Sequence, residues 1–214
     1  MRLRNLSNLS ALLLGLALAT TASTGCIGVA NWLAWGLWGQ KIPAEYDGLE
    51  GKRVAIVCAT RSSPFEPGGT TGAIARQVGD ILSREVKEID VVHIEEVADW
   101  IDRNDWLQMD YREVGRGVKA DMVIAINFES LSFQDSSTMV RGRADYSVAV
   151  FDMKTNRREF FREVREHTFP THGPASMSLR KFEPLYISRL AKDIAQYFYD
   201  HDFTEGFGTD ALVH

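Results

Sequence analysis

Residues 53–59 read Arg53-Val54-Ala55-Ile56-Val57-Cys58-Ala59, and this stretch decides the fold. A strand with one wet face alternates apolar and polar side chains, whereas a run apolar at nearly every position has to be covered on both faces. That points to a strand inside a sheet with helices on each side. The chain before it, Lys41 to Gly51, is polar and broken by Pro43, Gly48 and Gly51, and reads as linker and lead-in. A loop follows, Thr60 to Gly69, carrying Pro64, Pro67 and the pair Gly68-Gly69. From Thr71 the spacing predicts a helix: Ile74, Val78, Ile81, Leu82 and Val86 recur at helical intervals, while Arg76, Asp80, Arg84 and Lys87 fall elsewhere. Thr70 or Thr71 is its expected cap.

Further along, Asp90 to Glu95 (DVVHIE) reads as a second short strand, and Val97 to Ile101 as the start of a turn or short helix. Trp106 to Val118 predicts another helix, fading at Gly115-Arg116-Gly117. Asp121 to Phe128 (DMVIAINF) is a second strand of the fully covered kind. Val140 to Asp152 then alternates, with Val140, Ala144, Tyr146, Val148 and Val150 on one side and Arg141, Arg143, Asp145 and Ser147 on the other, the mark of an antiparallel strand with one wet face. The turn Asp152 to Asn156 leads into a strand from Arg158 to Glu166, making a hairpin. Leu185, Arg189, Leu190, Ile194, Tyr197 and Phe198 mark a closing helix, with Pro184 expected in its first turn. The predicted class is α/β: a single layered sandwich with a mixed sheet of about five strands flanked by helices.

The 214-residue chain carries 24 basic and 29 acidic side chains, a formal net charge of −5. No clustered basic face accompanies that mild acidity, so a nucleic-acid partner is not expected. Cys58, inside the apolar run, reads as a small buried hydrophobe. The histidines are His93, His167, His172, His201 and His214; His93 falls within the expected strand, and the spacing of His167 and His172 fits no standard zinc pattern. Glu95, Glu96, Asp99 and Asp102 read as solvated helix-flank charges, and Arg157, Arg158, Arg162, Arg165, Arg180 and Lys181 as a wet strand face and helix flank. No metal or cofactor is expected.

One segment could bind a ligand. The loop holding Arg61, Ser62, Ser63, Gly68, Gly69 and Thr70 joins a covered strand to a helix start, where free amides can hold a phosphate or carboxylate. It lacks the P-loop lysine and the GxGxxG of a dinucleotide site, and no G-x-S-x-G elbow surrounds its serines. An ordinary surface loop is the simpler reading.

At the N-terminus, Arg2 and Arg4 precede an apolar stretch from Ala11 to Ala19 and the run Ser23-Thr24-Gly25-Cys26. A positive segment, an apolar core and small residues before a cut form a secretory signal. With the cut just before a cysteine, the run resembles the lipobox of bacterial lipoproteins, which implies acylation of Cys26 and removal of residues 1–25. The expected organisation is a signal peptide over 1–25, a membrane-proximal tether over 26–49, the α/β domain over 50–202 and a flexible tail over 203–214. The competing reading is an uncleaved signal anchor in the inner membrane, since no charge interrupts Ala11 to Gly39 and Trp32, Trp35 and Trp38 suit an interface. Ile27 after the cysteine implies, by the same resemblance, the outer membrane, with the domain facing the periplasm.

The domain itself is similar to the N-terminal domain of TolB and its relatives, the curli-secretion lipoproteins and the lipoprotein activators of penicillin-binding proteins. Arg53 to Val57, Gly117 to Ile124 (GVKADMVI) and Tyr146 to Asp152 (YSVAVFD) with Lys154-Thr155-Asn156 carry the resemblance. Asn156 stands where those families commonly have glycine. The long amphipathic hairpins of a curli-type pore are not found. Because no catalytic constellation is found in the sequence, the expected function is that of a non-enzymatic envelope lipoprotein acting through contact with an envelope protein or with itself. The alternative is an exported ligand-binding domain or hydrolase using the 60–71 loop.

Overall fold

The computed structural model describes residues 41–60, 66–104, 106 and 110–202. The chain divides into two units, Met1–Ile42 and Pro43–His214. Of the first, only β1 (Lys41–Ile42) is described. The second contains β2 (Arg53–Thr60), α1 (Thr70–Glu85), β3 (Asp90–Val91), α2 (Ile94–Arg103), α3 (Tyr111–Gly117), β4 (Met122–Gln134), β5 (Val140–Asp152), β6 (Arg157–Phe169), α4 (Leu179–Ala195), a 3₁₀ turn (Gln196–Phe198) and β7 (His201–Asp202). It is the expected α/β layered fold, built on a mixed five-stranded sheet in the order β3-β2-β4-β5-β6. β2 runs parallel to β3 and β4, and β4, β5 and β6 follow antiparallel.

The two faces of the sheet are covered differently. Ile56 of β2 meets α1, since a methyl on Gly79 would stand 3.4 Å from its Cδ1. On the same face Ile124, Ile126 and Phe128 of β4 lie in register with Val150, Val148 and Tyr146 of β5, all buried beneath α1 and α4. The opposite face is covered over β2 and the start of β4 by α2 and α3, whose Gly115 lies against Val123. Beyond α3 no described element covers that second face. β2 is covered on both sides, as its uniformly apolar sequence requires: Val54 to Ala59 are all buried.

Several boundaries differ from the sequence expectation. The strand expected over DVVHIE ends at Val91, and Ile94 begins α2 because Ile94, Val97, Ala98 and Ile101 form one buried helical stripe with Glu95 and Glu96 in the favourable first turn. His93 is accordingly the residue before that helix and not a strand residue. α3 starts at Tyr111 after the cap Asp110, whose carboxylate accepts the Arg112 amide at 3.1 Å, and it continues through Gly117. β4 runs on to Gln134, because Leu131 and Phe133 keep packing beneath α4 past a register shift after Phe128. Pro184 is not in the first turn of α4: the helix begins at Leu179, and the proline is exposed on its second turn. The lead-in contributes to the core through Leu49, which is fully buried.

Candidate functional site

Three places on the described surface gather chemistry. The first is the loop ahead of α1. Gly68, Gly69 and Thr70 are described; Arg61, Ser62 and Ser63 lie outside the described residues, as does Cys26. The Gly69 amide donates to the Glu66 carbonyl at 3.1 Å, and its carbonyl accepts the Ala73 amide at 3.0 Å. The loop folds back so tightly that a methyl on Gly72 would stand 2.3 Å from the Pro67 carbonyl oxygen. No side chain caps α1 and no acid lies in its first turn. Instead the Thr70 hydroxyl donates to Glu183 of α4 at 3.3 Å. A carboxylate there answers the positive end of the helix and opposes a second anion. The loop does follow the carboxyl end of β2, between β3 and β4, where ligands of open α/β sheets gather.

The second is a polar chain between β6 and α4. His167 meets the Tyr186 hydroxyl through Nδ1 at 3.2 Å and the Asp193 carboxylate through Nε2 at 2.9 Å. The Arg189 Nε–H donates to the same Asp193 oxygen at 2.8 Å. A histidine oriented by an acid is a familiar catalytic pair. Here the oxygen it faces belongs to Tyr186, which has no exposed surface and whose phenol is pushed well above its ordinary pKa by burial. The chain therefore ties the edge strand to the helix. Sequence reasoning grouped His167 with His172; its partners stand 19 and 26 positions further on, a separation at which no local pattern operates.

The third is on the open face of the sheet. Beside α3, the side chains of Tyr111, Ala125, Asn127, Ser147, Ala149, Phe151, Arg158 and Phe161 line a groove of about 230 Å³. Its floor is narrow because Ala125 and Ala149 are paired across β4 and β5, with Asn127 and Ser147 paired next to them. Phe161, opposite Ala149 on β6, is 48% exposed, and the Arg158 guanidinium lies over its ring at 4.6 Å. The Asn127 Oδ1 atom is buried without a hydrogen-bond donor. Leaving such an acceptor unpaired costs about 1–3 kcal/mol. The guanidinium of Arg112 lies over Phe151 at 5.9 Å, and its pairing with Asp110 holds that carboxyl below its usual range. The sequence signal for this site was present in part: Asn127 interrupts the otherwise apolar run from Met122 to Phe128, and the pair Phe160-Phe161 puts an aromatic side chain on each face of a strand otherwise rich in charge.

Among the described residues no cluster of metal-ligating side chains occurs, and no helix is long and apolar enough to cross a membrane.

No protein-family model matches the chain, and no curated protein matches it. Among solved structures, a lipoprotein from Neisseria meningitidis aligns with a TM-score of 0.44 and 10% identity, over 67% of this chain and 97% of the other. The PelC dodecamer from Paraburkholderia phytofirmans aligns at 0.42 with 9% identity, over 76% and 97% respectively. The C-terminal domain of LpoB from Salmonella enterica aligns at 0.37 with 11% identity, over 57% and 89%. A bacterial lipoprotein is thus among the neighbours, at overlaps that transfer neither membership nor function.

Proposed function

We propose that this chain is a non-catalytic, membrane-tethered module of the bacterial cell envelope that works by contact with a protein partner, docking it on the open face of β4, β5 and β6. One observation carries the reading: the groove floored by Ala125 and Ala149 and walled by Phe151 and half-exposed Phe161 sits on a sheet face that α3 leaves uncovered. Docking by that face is favoured over addition of a strand to β6. The edge of β6 bears Arg157, Arg158, Glu159, Arg162, Glu163, Arg165 and Glu166, with register shifts at both ends of its pairing, and charge with bulges is how sheets discourage edge pairing.

The tether in this reading is Cys26, acylated after loss of residues 1–25, with Ile27 directing the protein to the outer membrane. A tether raises the local concentration of the domain, so a shallow groove suffices. The test replaces Phe161 with the photo-crosslinker p-benzoylphenylalanine in the full chain, in cells. An adduct is expected on irradiation at that position and not with the crosslinker at Arg84, an exposed residue of α1. Irradiation that yields no adduct at Phe161 rejects the docking face. Mass spectrometry of the same protein is expected to find an acylated N-terminal cysteine peptide; an intact Met1 start rejects the lipid tether.

A further inference from the structure

The geometry points to the occupant of this groove as an acidic, apolar peptide: a segment of the partner in which a leucine-sized side chain stands beside a carboxylate. The inference rests on the docking reading above and adds the chemistry of what docks.

Two features of the groove converge on it. The groove's volume of about 230 Å³ suits one large apolar side chain, since a cavity of about 150 Å³ already holds benzene. The walls are aromatic and the floor is alanine, so that side chain meets only apolar surface at the bottom.

The rim supplies the sign of the charge. Arg158 stacks on Phe161 and makes no ion pair among the described residues. Arg112 pairs with Asp110 at 2.8 Å, and Arg116 donates to the Asn156 Oδ1 atom at 3.4 Å. Among the described residues that line the groove, Arg158 is the one charged side chain. The Arg158 guanidinium, 4.6 Å over the Phe161 ring, can donate N–H groups to an anion such as a carboxylate. The charge at the groove is thus positive although the chain as a whole is negative, and complementarity selects an acidic partner segment.

The test uses three acetylated, amidated hexapeptides: one alternating leucine with glutamate, one with glutamine for every glutamate, one with alanine for every leucine. Each is titrated into the isotope-labelled full chain in detergent micelles, and amide resonances are followed by NMR. The leucine–glutamate peptide is expected to shift Asn127, Ser147 and Ala149. The other two peptides, and the leucine–glutamate peptide against Arg158→Gln, are expected to bind at least tenfold more weakly. Equal binding of the glutamate and glutamine peptides, or no shift on this face, overturns the inference. If either result accompanies a Phe161 adduct with another protein, docking stands and the acidic peptide fails; without any adduct, both fail. A Phe161 adduct joining two copies of this chain assigns the groove to self-association and also overturns it.

Discussion

Cys58 sits in β2 with no exposed surface, and burial pushes its thiol well above the ordinary range. The folded protein is therefore expected to leave Cys58 unmodified by iodoacetamide at pH 8, with labelling appearing only as urea unfolds it; rapid labelling of the native chain would contradict that burial. The apolar neighbours of Cys58 make this legible in the sequence. Gly142 is the opposite case. A methyl there would stand 2.4 Å from the ring of Tyr186, a residue of α4 that no local pattern connects to β5. Gly142→Ala is expected to lower stability by roughly 1–3 kcal/mol, read as a shift in urea midpoint, because the stacked rings of Phe169, Phe182 and Tyr186 leave little room to yield.

At the scale of elements, the β5–β6 turn was readable because its chemistry is local. Asp152 accepts the Lys154 amide at 2.7 Å and the Thr155 amide at 2.8 Å, and Asn156 takes the left-handed conformation at φ 59°. Those amides hold the Asp152 carboxyl below its usual range, the Thr155 contact being the larger cause. A carboxyl lowered by folding contributes stability that is present above its unfolded pKa of about 3.9 and is lost as pH falls through the folded value. Asp152→Ala is accordingly expected to cost about 1 kcal/mol at pH 7. In urea titrations the gap between variant and parent should narrow below pH 3; a pH-independent gap would assign the effect to something other than the charge. Pro184 in α4 is the element the sequence misplaced, since a proline is expected at a helix start and the start at Leu179 is set by tertiary packing. On the second turn it withholds an amide from the helix ladder. Pro184→Ala is expected to raise the thermal midpoint, by about 1 kcal/mol of stability after the proline's effect on the unfolded chain is discounted.

For the whole molecule, the buried hydrophobic cluster runs from Leu49 to Tyr199 and lies within the second unit. A chain beginning at Pro43 is expected to unfold in one cooperative step, with far-UV circular dichroism and the fluorescence of Trp100 and Trp106 changing together; separated transitions would show that the core is not one unit. The sequence alone determined the layered α/β class, the doubly covered β2, the alternating β5 and the hairpin turn, because hydrophobic period and turn chemistry act between near neighbours. It did not reach the seat of α2, the length of β4 beneath α4, the tie from His167 to Asp193, or the groove. Those depend on which faces meet. The groove exists because Ala125, Ala149 and Phe161, from three strands, are brought side by side by register while short α3 stops before covering them. Packing between distant segments decided it, and no periodicity along one strand encodes where a neighbouring helix ends.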